Sequence, residues 1–278
     1  MEPLAPLYTA DLFSGLNGEL ISLLRGLSPA DWERPTVAGA WRVRDVAAHL
    51  LDVMLRRISA ARDGHRMQPD GPIDDYRSLV GYLNRLNASW VAVANRLSLR
   101  VLADLLAWTA PQVAGVMVSL PPHGQALIGV AWAGEERSEN WFDTGREYTE
   151  HWHHQAQIRD AVGAPGLSER RWLHPVIELC LYALPVAFRD LDRPEDAALV
   201  LEVTGEAGGI WSLVRTEGAW KLWRGAAERP AGRARMDGDT AWRLLFNALP
   251  AETARTKITA EGDSALFERL IAARGVMV

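Results

Sequence analysis

Apolar residues recur at helical spacing over the first 162 residues, and the period shifts towards two after Asp196. Leu12, Leu16, Leu20, Leu23 and Leu24 mark a helical stripe within Leu4 to Gly26, and Ser28-Pro29-Ala30-Asp31 breaks the chain with capping character. A second helix is predicted from Trp41 to Ala61, ended by Asp63-Gly64. A third, Asp74 to Arg96, carries Tyr76, Leu79, Val80, Leu83, Leu86 and Trp90 on its apolar side. Val101 to Ser119 is a further helical stretch, with an interruption expected near Pro111. Leu127 to Trp132 is apolar but short. Trp141 to Val162 reads as one helix, stopped by Gly163 and Pro165. Four or five long helices on short loops predict an antiparallel bundle.

Beyond Gly163 the pattern changes. Leu173 to Arg189 is helical with a kink expected at Pro185, and Asp190 to Asp196 is a charged linker. Leu199 to Val203 is a predicted strand, and Ile210 to Val214 with Trp220 to Trp223 predicts a hairpin about Glu217-Gly218. Arg233 to Met236 and Lys257 to Ala260 are further strands, Asp239 to Leu249 a helix and Asp263 to Arg274 a closing helix. The run Gly205 to Gly209 lacks the Lys-Ser/Thr ending of a phosphate loop and reads as a turn. The expectation is a fold of α + (α+β) class: a bundle over 1–165, then a small α+β domain with an antiparallel sheet over 166–278.

Composition narrows the function. A net charge of −5 gives no reason to expect nucleic acid or an anionic membrane. One cysteine, Cys180, allows no intramolecular disulfide. The first residues lack a basic region followed by an apolar core, and no apolar run is read as reaching the ~18–20 residues that span a bilayer, so the cytoplasm is the expected compartment.

The densest chemistry lies in Glu147 to Gln157, with His151, His153 and His154. Helical positions four apart share a face, so Glu150 with His154, or Glu147 with His151, can offer a carboxylate and an imidazole to one divalent ion. Periodicity does not choose between these pairs. A third ligand must come from elsewhere, since catalytic zinc takes three protein groups and keeps a position open. His49 sits among Val46, Leu50 and Val53, either as a core histidine bonded to a carbonyl or as that ligand. His123, beside Pro121-Pro122, reads as solvated.

With these residues assembled, the sequence resembles the mycothiol-dependent maleylpyruvate isomerase family, within the wider DinB-like metal-binding bundles. Trp41-Arg-Val43-Arg-Asp45-Val-Ala-Ala-His49-Leu50 is similar to the family's Trp-x-Val-x-Asp-x3-His-Leu element, and Glu150-x3-His154 to its Glu-x3-His element. Asp237 to Trp242, through Glu261-Gly-Asp263 to Val276-Met-Val278, resembles its sterol-carrier-like accessory domain. The resemblance implies His49, Glu150 and His154 as ligands of a divalent metal, zinc above all. It implies a low-molecular-weight thiol such as mycothiol as cofactor, for cis-trans isomerisation or thiol transfer on a small electrophilic substrate. The thiol is the nucleophile, and the protein supplies none of its own. The chain departs from the pattern at Gln157, where many relatives carry an acid, and at His153, where many carry a small residue; His151 and His153 read as flanking groups. Two other classes stay in view: a hydrolase with metal-activated water and Glu147 as its only apparent base, and a binding protein whose Trp211, Trp220 and Trp223 line an apolar ligand. For those tryptophans, a packed hairpin face is the stronger reading.

Overall fold

Helices α1 (Phe13–Gly26), α2 (Pro29–Trp32), α3 (Val43–Ala61), α4 (Tyr76–Ala94), α5 (Leu99–Ser119) and α6 (Asn140–Val162) make the first half of the computed structural model, which describes residues 1–273. They belong to one compact unit, Tyr8–Leu127 with Glu139–Gly166. Local chemistry explains where these helices start. Asp31 donates its backbone N–H to the Ser28 hydroxyl, and Ser78 donates its own to the Asp75 carboxylate at 2.7 Å. The Asp45 carboxylate accepts from the Arg42 backbone N–H at 3.0 Å and so satisfies an open donor ahead of α3. α3 packs on α4, α5 and α6, and α1 on α5 and α6. Phe13, Leu16, Val46, Leu50, Met54, Leu106, Val113, Tyr148 and Ile158 are buried between them.

Three expectations for this half change. The first helix begins at Phe13, after a 3-10 turn over Ala10–Leu12, so Leu4 to Thr9 lie outside it. α5 runs unbroken through Pro111. A proline removes one N–H and crowds the preceding turn, but Leu106, Ala110, Val113 and Ala114 are buried on either side and keep the helix on the core. α5 is also long and apolar enough to cross a membrane, where no such run was expected; half of the stretch is buried in the protein.

The other compact unit comprises Met1–Leu7, Ile128–Ser138 and the chain from Leu167. The first and second of these stretches fall with the C-terminal half, which differs from an expected boundary between 165 and 166. Helices α7 (Arg170–Leu181), α8 (Leu184–Phe188), α9 (Gly238–Leu245), α10 (Ala251–Lys257) and α11 (Ser264–Ala272) accompany six strands: β1 (Glu2–Pro3), β2 (Ala198–Thr204), β3 (Gly209–Thr216), β4 (Ala219–Arg224), β5 (Gly232–Asp237) and β6 (Thr259–Gly262). Pro185 lies at the start of α8 instead of kinking one long helix. The helix expected over Asp239 to Leu249 ends at Leu245, since Asn247 takes a φ of +56° and α10 starts after it. Arg274 and Val276-Met-Val278, included in the predicted closing helix and the accessory-domain resemblance, lie outside the described residues.

The sheet has the order β1-β4-β3-β2-β5-β6. It is mixed, not antiparallel as expected: β5 pairs parallel with β2, from Leu199 opposite Gly232 to Thr204 opposite Asp237. The meander β2-β3-β4 occupies one side of β2, so the chain must return along the sheet to reach the other. Residues 225–231 make that return, with the Ala227 N–H donated to the Ser212 hydroxyl at 2.9 Å. Glu217 and Gly218 both take positive φ, +54° and +74°, the geometry of a two-residue hairpin turn.

The hairpin tryptophans are packed. Trp211 donates Nε1–H to the buried Glu178 carboxylate at 2.9 Å, and Trp220 donates to the Leu191 carbonyl at 3.0 Å. Trp223 packs on Ala198, Val200, Val214 and Ala227. Cys180 is a buried free thiol, and burial pushes its pKa up.

Candidate metal centre

Helix α6 is unusual in burying polar groups around most of its circumference, among them Asp143, Glu147, Thr149, His151, His153, Gln155, Gln157 and Arg159. It ends where Gly163 takes a φ of +70°. A buried polar group without a partner costs roughly 1–3 kcal/mol, so the side of the helix each residue occupies is set by what it can bond.

On the side facing α3, His49 Nε2 lies 3.1 Å from Glu150 Oε1. One turn along α6, His154 Nε2 approaches the same oxygen at 3.2 Å. A ligand atom from each of the three residues lies within 4.8 Å of the others. The two imidazoles meet edge to face with centroids 4.6 Å apart, and the Trp41 ring lies against His49 at 5.1 Å. Burial pushes the His49 pKa down. Burial also opposes the charge on His154, but the Glu150 carboxylate outweighs it and raises the pKa. Burial likewise opposes charge on Glu150, and His154 and His49 together hold that carboxyl well below its ordinary range.

The donor set fits a cation. Zinc bonds of about 2.0–2.2 Å put neighbouring tetrahedral ligands roughly 3.4 Å apart, close to the two nitrogen–oxygen distances here. The buried Nδ1 of His49 has no hydrogen-bond partner among the described residues. On the other ligand, His154 Nδ1 lies 2.8 Å from Gln157 Oε1, which can only accept, so this nitrogen carries a proton and Nε2 is left for the centre. The Gln157 amide nitrogen lies 3.3 Å from His153 Nε2, and burial holds His153 neutral with a pKa pushed down to about 3.

The rival pair comes apart. Glu147 is clamped by Arg57 at 3.0 Å and by Arg146 at 2.5 Å, and Arg57 also holds Asp143 at 2.7 Å. Burial works against the Glu147 charge, but the two arginines win and hold its pKa at about 2. Glu147, the only apparent base for a hydrolytic reading, is a buried structural anion and unsuited to take a proton in that role. His151 Nδ1 pairs with Asn17 Oδ1 at 2.9 Å, on the side of α6 facing α1. His123 is exposed and bonded to Glu139 and Tyr8.

Two features escaped the sequence reading. One is the Arg57–Asp143–Glu147 clamp between α3 and α6. The only available signal was an arginine two turns beyond His49, within the buried stripe. The other is Trp90, which donates Nε1–H to the Ala48 carbonyl at 2.8 Å and ties α4 to α3 beside His49.

A family model described as the mycothiol maleylpyruvate isomerase N-terminal domain matches residues 15–159, more than half of the chain. The chain belongs to this family. Membership makes it an enzyme of an isomerase family. Among solved structures, the crystal structure of the mycothiol-dependent maleylpyruvate isomerase is similar over 91% of this chain and 90% of that one, with a TM-score of 0.52 at 12% identity. A histidine-to-alanine mutant of that enzyme covers the same shares, with a TM-score of 0.51 at 11% identity. At such identities the likeness speaks for a shared fold, a helical region followed by a mixed-sheet domain. None of the curated proteins compared with the chain matches it.

Proposed function

We propose that His49, Glu150 and His154 hold one divalent cation, zinc by the character of the donors, and that the chain is a thiol-dependent isomerase of a small substrate with a cis double bond conjugated to a carbonyl. The observation that carries this reading is the convergence of two imidazole nitrogens on one carboxylate oxygen, at 3.1 and 3.2 Å, within a family described by that activity. When bound, the cation would lower the pKa of a mycothiol-like thiol, and the thiolate would supply reversible addition: a C–S bond forms at the conjugated double bond, rotation follows about the resulting single bond, and C–S cleavage returns the thiolate and the trans double bond.

The chain's own residues prepare the site. Gln157 fixes the tautomer and orientation of His154. The Trp41 ring packs beside His49, and Trp90 anchors the carbonyl of the preceding Ala48. The Arg57 clamp holds the two ligand-bearing helices in register. Two histidines and one carboxylate supply three ligands, which leaves room for a thiol on the cation. The same arrangement serves thiol transfer where the adduct itself is the product. A cytoplasmic location fits, since thiols stay reduced there.

Replacing His49 with Ala is expected to abolish zinc binding, read by elemental analysis of the purified protein, and to remove mycothiol-dependent turnover. Full zinc occupancy in His49→Ala would overturn the ligand assignment.

A further inference from the structure

Neighbouring arginines on α3 are treated in opposite ways. Arg57 is sealed, with its guanidinium committed to Asp143 and Glu147. Arg56 is one-third exposed. Its Nε donates to Asp52 at 2.9 Å and its Nη2 to Asn87 on α4 at 3.4 Å, while Nη1 has no partner among the described residues.

Arg56 follows His49 by seven residues, close to two full turns, so both project from one face of α3 about 10 Å apart along the axis. Asp52 lies between them on the same face. Burial pushes the Asp52 pKa up, and the Arg56 guanidinium, bonded to it at 2.9 Å, works against that shift. One helix face therefore presents an imidazole of the candidate centre, then a carboxylate, then a guanidinium with an unused edge. Asp52 and Asn87 hold that guanidinium in place without saturating it. A planar fork so held suits a carboxylate, which it can bind through two parallel bonds.

We propose that Arg56 is the specificity-determining residue that receives an anionic end of the substrate, a carboxylate several atoms from the reacting double bond. This inference rests on the reading of His49, Glu150 and His154 as the reaction centre. Asp52 tempers it: its carboxylate offsets part of the guanidinium charge, so the position favours a ligand carboxylate able to compete for the free edge.

The test uses the full chain with its metal and titrates two probes by calorimetry, the maleate dianion and its neutral diamide. Arg56→Met is expected to weaken maleate binding roughly tenfold or more, the loss of a charge-assisted pair. It should leave diamide binding and zinc content as in the wild type, and Arg56→Lys should restore part of the affinity. Asp52→Asn, which keeps an acceptor for Nε but removes the charge, should tighten maleate. In turnover, Arg56→Met should raise KM more than it lowers kcat. Maleate binding equally well to wild type and Arg56→Met, or failing to bind the wild type, overturns the inference. Absence of isomerase activity in the wild type would count against the proposed reaction, while the maleate titration would still decide the role of Arg56.

Discussion

Gln157 gives His154 what a carboxylate would give, an acceptor for the Nδ1 proton, but without a negative charge. Groups of this kind typically change metal affinity by 10–100-fold when removed. Gln157→Ala is therefore expected to weaken zinc by roughly that factor, and Gln157→Glu to strengthen it, in competition with a chromophoric chelator. Equal affinities in all three proteins would show that the 2.8 Å contact does not orient the ligand. Glu147 makes a prediction in pH. Its folded pKa, about 2, is depressed from an ordinary 4.5. A depressed carboxylate stabilises the fold above the unfolded value, and that contribution is lost as pH falls through the folded one. Stability in urea should thus decline between pH 4.5 and 2 in the wild type, and less steeply in Glu147→Gln. At this scale the three candidate ligands were legible because two short elements around them resemble a family pattern. The clamp was not. Arg57 meets Asp143 across 86 residues of chain, and an arginine in a helix has no local mark of being buried.

Helix α6 was legible almost to the residue, since its stop is local: Gly163 supplies the left-handed turn and Pro165 prevents continuation. A Cβ at Gly163 would meet nothing within 4 Å. Gly163→Ala should therefore cost only the conformational penalty of positive φ, about 1 kcal/mol, measured by chemical denaturation. A much larger loss would point to a packing role that the open space around the residue does not show. Elements whose limits depend on distant partners were read less well. α5 passes through Pro111 because its neighbours are buried on both sides, and β1 is two residues paired with Arg224 and Trp223 of β4. The parallel union of β2 and β5 depends on a return connection whose path no period in the sequence reports.

For the molecule as a whole, alternation of helical and two-residue periods gave the two kinds of unit, but not which short stretches belong to each. Residues 1–7 and 128–138 join the sheet unit by tertiary contacts alone. The proposed cation would act on one unit. A ligand that binds only the folded state adds about 4 kcal/mol at a thousandfold excess over its Kd. Saturating zinc should slow hydrogen exchange in α3 and α6, and a chelator should reverse the effect, with β2 to β5 unchanged in both. Equal protection throughout the chain, or none in α3 and α6, would contradict a cation held by these helices.

Electrophiles with a conjugated cis double bond alkylate accessible thiolates, and a catalyst that handles them risks modifying itself. Here the only sulfhydryl, Cys180, is enclosed in the sheet unit and kept protonated by its surroundings. Under the proposed reaction, the polypeptide would offer its substrate no competing nucleophile of this class, and capture of the reactive compound would be left to a soluble, replaceable partner. Resistance to self-inactivation would in that case be a property of where one side chain is stored, not of any residue at the reaction centre.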